Sequence, residues 1–228
     1  MRSRVRFVSL LLGLTGVVLV ASPSWGEDPL KPTAPDSERP TGREATEAGS
    51  AATSWSRDPV LDKTPWAVTL YGGVYLDNSL GQTFALQWDP LPSYIGVLAV
   101  SREIGTVTKH LRFEVEGQIA KHFREEWNWE FNALIVARWV TFPWNDYVYT
   151  TFAVGEGLSY ATEVPKLEKQ LQNTSEQTLN YMMFELTVSP PQHREWAFVT
   201  RIHHRSAVFG LLGNGDSNMV CAGIKYRF

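Results

Sequence analysis

Eight stretches of this chain alternate apolar and polar residues with a period of two, and from Trp66 onward the 3.6-residue period of a helix is missing. They are WAVTLYGGVYL from Trp66, SYIGVLAVSREI from Ser93, LRFEVEGQIAKHF from Leu111 and WEFNALIVARWVTF from Trp129. YVYTTFAVGEGLSYA from Tyr147, LNYMMFELTV from Leu179, WAFVTRIHHRSAVF from Trp196 and SNMVCAGIKYRF from Ser217 complete the set. The pattern predicts β-strands with no helix between them. Each is long enough to cross a bilayer at a tilt, which takes about 9–11 residues.

The two faces differ in a telling way. In the third stretch Leu111, Phe113, Val115 and Ile119 share one face, and Arg112, Glu114, Glu116 and Gln118 the other. A soluble barrel hides its apolar face and wets its charges, whereas a membrane barrel turns the apolar face to lipid and the polar face inward. Closure removes the unpaired sheet edges that hydrocarbon cannot satisfy. Aromatic residues near the strand ends (Trp66, Trp129, Trp139, Trp144, Tyr147, Tyr149, Trp196 and Tyr226) suit interfacial girdles. Long connections, such as DNSLGQTFALQWDPLP and TEVPKLEKQLQNTSEQT, alternate with short ones, such as PWND and SPPQHRE. The expected fold is therefore all-β: an eight-stranded antiparallel transmembrane β-barrel over residues 64–228.

Eight strands leave room for side chains, not for a channel. The expected filling is Glu114, Glu116, Glu156 and Glu185 with Arg112, Arg138, Arg201, Arg205, Lys225 and Arg227, a plug of paired charges. His110 and His122 fall in or beside connections and His193 in a turn, where solvation is expected.

Residues 1–26 have the layout of a secretory signal peptide: Arg2, Arg4 and Arg6, then FVSLLLGLTGVVLVA, then SWG before Glu27. Its removal leaves 18 Lys and Arg against 24 Asp and Glu, a net charge of −6. Residues 27–63 are rich in Pro, Ser, Thr, Ala and Glu, which predicts a disordered tail on the periplasmic side. No basic, aromatic-laced patch points to nucleic acid. Cys221 is the only cysteine, so neither an intrachain disulfide nor a cysteine zinc cluster can form. Metal, nucleotide and phosphoryl-transfer motifs are missing, and no metal or cofactor is expected. GEGLSY around Ser159 lacks the strand–elbow–helix setting of a serine nucleophile.

RIHHRS, Arg201–Ser206, carries the candidate chemistry. Parity sends Arg201, His203 and Arg205 inward and His204 and Ser206 outward, with Trp196, Phe198, Thr200, Ile202 and Val208. Polar groups on a lipid-facing wall are costly and point to function. An imidazole beside a hydroxyl can take its proton as it attacks an ester carbonyl.

An H-x-S pair on the penultimate strand of an eight-stranded barrel, followed by GNGDSNMVCAGIKYRF, resembles the lipid A 3-O-deacylase (PagL-type) family of acyloxyacyl-hydrolase-like outer-membrane barrels. The resemblance covers roughly residues 66–228. It implies Ser206 as nucleophile, His204 as general base, and lipid A or lipopolysaccharide in the outer membrane as substrate and partner. The family places a Glu on the last strand; the outward positions here offer Asp216 and Asn218. A hairpin turning at Leu212–Gly213 puts Asn218 opposite Ser206 and Asp216 opposite Val208. After its serine the family has an Asn; here Ala207 follows, and backbone N–H groups of Ala207 and Gly210 are the expected oxyanion donors. The terminal Phe228, with Tyr226 two places before, resembles the signal read by the barrel-assembly machinery. Two other readings compete: a non-catalytic structural or adhesive outer-membrane barrel on the same scaffold, and a soluble ligand-binding barrel.

Overall fold

The computed structural model describes residues 64–208 and 214–228. The expected signal peptide, the 27–63 tail and Gly210 lie outside the described residues. The strands are β1 (Trp66–Leu76), β2 (Pro90–Thr108), β3 (Leu111–Arg124), β4 (Trp129–Trp139), β5 (Tyr149–Ala161), β6 (Thr178–Ser189), β7 (Trp196–Ser206) and β8 (Asp216–Arg227). Each pairs antiparallel with its chain neighbours and β8 pairs with β1, closing an eight-stranded barrel. The ladder is staggered. From Trp66 the register runs through Arg102, Val115, Ile135, Glu156, Met182, His204 and Asn218, and returns to β1 at Leu76, ten residues further on. Such a stagger tilts the strands by about 40° to the barrel axis.

The outer wall is apolar. Leu70, Leu98, Val115, Ile119, Ile135, Leu158, Phe198 and Ile224 all stand exposed. Trp66, Trp139, Trp196 and Tyr226 ring the end where β1 begins and β8 ends, while Tyr94, Phe123, Trp129 and Tyr160 ring the other. This is a transmembrane β-barrel: water would not leave that belt bare, and lipid does.

The lumen is a packed network. Glu185 receives Arg138 at 2.8 Å, Arg201 at 2.5 Å and Lys225 at 2.5 Å. Arg201 also grips Glu116 with two bonds of 2.7 and 2.9 Å, and Arg138 grips Glu114. Three carboxylates thus balance three cations, which keeps the burial of all six tolerable. Between these charges and the loops lies an apolar patch of Tyr71, Tyr75, Ile95, Val97, Ala99 and Met219.

Glu156 corrects the expected filling. It shares parity with the exposed Phe152, Leu158 and Tyr160 of β5 and faces outward, flanked by Ile135 and Met182. His122 is a second correction. It is buried on the inner face of β3, with Nε2 2.9 Å from Glu130 Oε2, because β3 runs on to Arg124 and keeps its parity. His110 stacks on Trp139, and His193 is exposed in its turn.

The two longest connections each contain a helix where alternation predicts none. In the first, α1 (Leu80–Phe84) is capped reciprocally: Ser79 accepts from the Gln82 amide, and the Gln82 side chain accepts from the Ser79 amide. In the β5–β6 connection, α2 (Lys166–Gln172) begins after Pro165, with the Leu167 amide donating to Glu126 Oε1 at 2.7 Å. It ends at Asn173 in the left-handed region, φ 63°.

Candidate active site

Along β7 the side chains of Trp196, Phe198 and Thr200 are exposed, while Ala197, Val199, Arg201, His203 and Arg205 are buried in the lumen. His204 and Ser206 belong to the outward set. The two adjacent histidines therefore stand on opposite sides of the wall. His203 points inward, with Nε2 2.8 Å from Glu130 Oε1 and Nδ1 3.0 Å from the Tyr181 hydroxyl.

His204 is outward yet only 6% exposed. The cover comes from the β1–β2 connection. Asn78 is hydrogen-bonded to Asn218 of β8, and Phe84 meets Phe184 of β6 edge-on with ring centroids 4.8 Å apart. The chain between these two anchors crosses the outer face of β7, which lies between β6 and β8. The flap shields the imidazole from hydrocarbon.

The imidazole is held from the side. Asn218 Oδ1 lies 2.8 Å from His204 Nδ1, and Asp216 Oδ1 lies 3.4 Å from the same nitrogen. The Asn218 amide donates from Nδ2 to the Asn78 carbonyl at 2.7 Å. A carbonyl only accepts, so this bond fixes which way the amide faces, with its oxygen toward His204. An oxygen there requires hydrogen on Nδ1. The lone pair then resides on Nε2, the tautomer a general base needs.

The register differs from the expected hairpin by two residues. Asn218 pairs with His204, and Asp216 with Ser206. The cause is local: β7 ends at Ser206, and Val208 turns into the left-handed region at φ 44° instead of continuing the strand. That early exit brings both polar residues of β8 to the imidazole. It also removes one expected oxyanion donor, because the Ala207 amide donates to the Gly215 carbonyl at 3.1 Å and closes the β7–β8 ladder.

Ser206 is half-buried and its hydroxyl makes no hydrogen bond to His204 or to any other described residue. Their Cα atoms stand about 7 Å apart, as any i, i+2 pair on one strand face does. Rotation about the serine χ1 is the motion that brings Oγ toward the ring, and catalytic contacts of this kind commonly tighten only when substrate binds.

No family model matches the chain. No curated protein matches it either. Among solved structures it is similar to the outer membrane enzyme PagL, at 12% identity and a TM-score of 0.49, over 71% of this chain and 99% of that one. It is also similar to Neisserial surface protein A, at 12% identity and TM-score 0.44, over 72% and 96% of the two chains. The outer membrane protein OprG from Pseudomonas aeruginosa matches at 10% identity and TM-score 0.38, over 72% and 95%.

The sequence held a signal for the flap that alternation alone misses. Ser79 with Gln82 three residues on is the S-x-x-Q pattern of a helix start. Asn78 acts through its main chain, which no residue pattern reveals.

Proposed function

We propose that this protein is an outer-membrane ester hydrolase that removes an acyl chain from lipid A or a related glycolipid, working on the lipid-facing side of its barrel. The observation that carries the reading is His204: an outward imidazole whose Nδ1 is held by Asn218 Oδ1 at 2.8 Å, leaving Nε2 as base beside Ser206. The resemblance of the H-x-S pair to the lipid A 3-O-deacylases adds to it. On this reading residues 1–26 direct export and are cleaved, the 27–63 tail lies in the periplasm, and Phe228 is offered to the barrel-assembly machinery.

The chemistry follows from the placement. As Ser206 Oγ attacks the ester carbon, its proton passes to His204 Nε2. The sugar–oxygen bond to the acyl carbon breaks, and the departing alkoxide takes that proton to leave as an alcohol. Water then gives a proton to Nε2 and attacks the acyl-serine, releasing a fatty acid and restoring the hydroxyl. Asn218 holds the ring in place but, being neutral, stabilises the imidazolium less than a carboxylate does; Asp216 at 3.4 Å supplies part of that charge.

The test is purified full-length protein in detergent with an acylated glucosamine disaccharide. Fatty acid is released, and Ser206→Ala abolishes release while the barrel keeps its heat-modifiable gel mobility. Absence of release from the parent protein overturns the reading.

A non-catalytic barrel is the second reading, and the unbonded Ser206 hydroxyl together with the engaged Ala207 amide favours it. A serine-directed fluorophosphonate separates the two. Labelling at Ser206 that disappears in His204→Ala supports the hydrolase; an inert serine supports the structural barrel.

A further inference from the structure

At the loop end of the barrel, against the candidate site, lies a polar cleft of about 340 Å³. It opens between the flap and α2 and is bounded by Tyr75, Asp77, Asn78, Gln82, Asp216 and Asn218. Asn218 belongs to both places: its oxygen holds His204 and its amide nitrogen holds the flap. Ser206 pairs with Asp216 in the ladder, so the cleft adjoins the candidate nucleophile.

The lining has one sign of charge. Asp77 and Asp216 are acidic, the remaining polar groups are neutral, and no Lys or Arg contributes. The pattern extends around the site. The connection DNSLGQTFALQWD, residues 77–89, contains no basic residue, and neither does AVFGLLGNG, residues 207–215. Outward positions of β6, β7 and β8 hold no Lys or Arg, and the nearest outward charge in the His204 row is Glu156. Arg205 is turned to the lumen, bonded to Ser159 and Glu168. Lys166 and Lys169 of α2 are exposed and do not line the cleft.

Phosphate recognition relies on Arg, Lys or converging backbone N–H groups. This rim offers none of those side chains and opposes an anion with carboxylates. It suits hydrogen-bond donors instead. Among the described residues one lining group lacks a hydrogen-bond partner: the Tyr75 hydroxyl, on a residue only 2% exposed. A buried polar group left unpaired is costly, and a ligand that supplies the missing bond recovers that cost.

We propose that the cleft is a headgroup subsite for a phosphate-free glycolipid, one that presents sugar hydroxyls or an ammonium group to Asp77, Asp216 and Tyr75. This rests on the ester-hydrolase reading for its chemistry, but it concerns binding and can be tested separately. The full-length protein in micelles is given two acylated disaccharides with identical chains, one bisphosphorylated and one phosphate-free. Release from the phosphate-free lipid is about tenfold faster, the scale of one unscreened like-charge contact, and Asp77→Lys narrows or reverses the preference. In parallel, Ser206→Ala protein in nanodiscs is titrated with both lipids and binds the phosphate-free one about tenfold more tightly.

Equal or opposite preference in either measurement overturns the subsite, as does a preference unchanged in Asp77→Lys, while the hydrolase reading stands. Selective binding with no release from either lipid overturns the hydrolase and leaves the subsite. Neither release nor selective binding removes both.

Discussion

Glu168, on the helix of the β5–β6 connection, reaches Arg205 in the lumen, with Oε2 2.9 Å from Nη1. Through this pair and the Glu126 bond to the Leu167 amide, the β5–β6 connection is tied to the interior. Burial pushes the Glu168 carboxyl up to about 7, against the pull of Arg205. A raised carboxyl binds more protons folded than unfolded, so its contribution is fully present below the unfolded value of about 4.3 and is lost as pH rises toward 7. Amide exchange across residues 166–172, corrected for intrinsic rates, is therefore slower at about pH 5 than at pH 8. Glu168→Gln flattens this difference; a slope that persists in that variant means another group governs the helix.

Asn218→Asp places a charge where the amide now holds His204 Nδ1 at 2.8 Å. Hydrolysis rises about tenfold, because a carboxylate stabilises the imidazolium and the amide does not. Asn218→Ala lowers it by a similar factor, since the ring loses the oxygen that orients it. Initial rates with a soluble acyl ester check both; equal rates in all three proteins exclude a role for residue 218.

Glu156 is a carboxylate on the lipid-facing wall, midway between the exposed Phe152 and Tyr160. Replacing it with Leu stabilises the barrel in vesicles by about 1–2 kcal/mol, somewhat less than the value for a basic residue at the same depth. Urea titration in a phosphocholine bilayer reads the change. A destabilised Leu variant would show that the carboxylate has a partner in the membrane.

Arg201→Met leaves Glu116 and Glu185 short of the bonds they now receive. The barrel loses about 3–5 kcal/mol, the usual effect of stranding buried charge. Arg201→Met combined with Glu116→Gln recovers part of that loss in the same urea assay. Additive losses in the double variant would contradict a shared network.

Most of the barrel was legible because two-residue periodicity is what a strand imposes on a chain with different solvents on its two faces. β1 begins and ends at Trp66 and Leu76, as the alternation predicts, and β3 differs only by Arg124. Glu156 shows where charge misleads: parity with Phe152 and Leu158 places it outward, whatever its affinity for water. The β7–β8 register was not legible. The apolar SAVF run reads as strand, but Val208 leaves the ladder in a left-handed turn that no alternation encodes. That two-residue difference decided which side chain meets His204.

The ten-residue offset of the ladder makes the wall a spiral ramp, on which position around the circumference and altitude in the bilayer are one coordinate. Trp66 stands at its foot and Leu76 at its top, with His204 and Asn218 just below the summit. Adding or deleting two residues within a single strand would keep every side chain on its own side. It would nonetheless raise or lower the neighbouring stretch of ramp by about 5 Å, enough to sink His204 and Ser206 beneath the level of the headgroups.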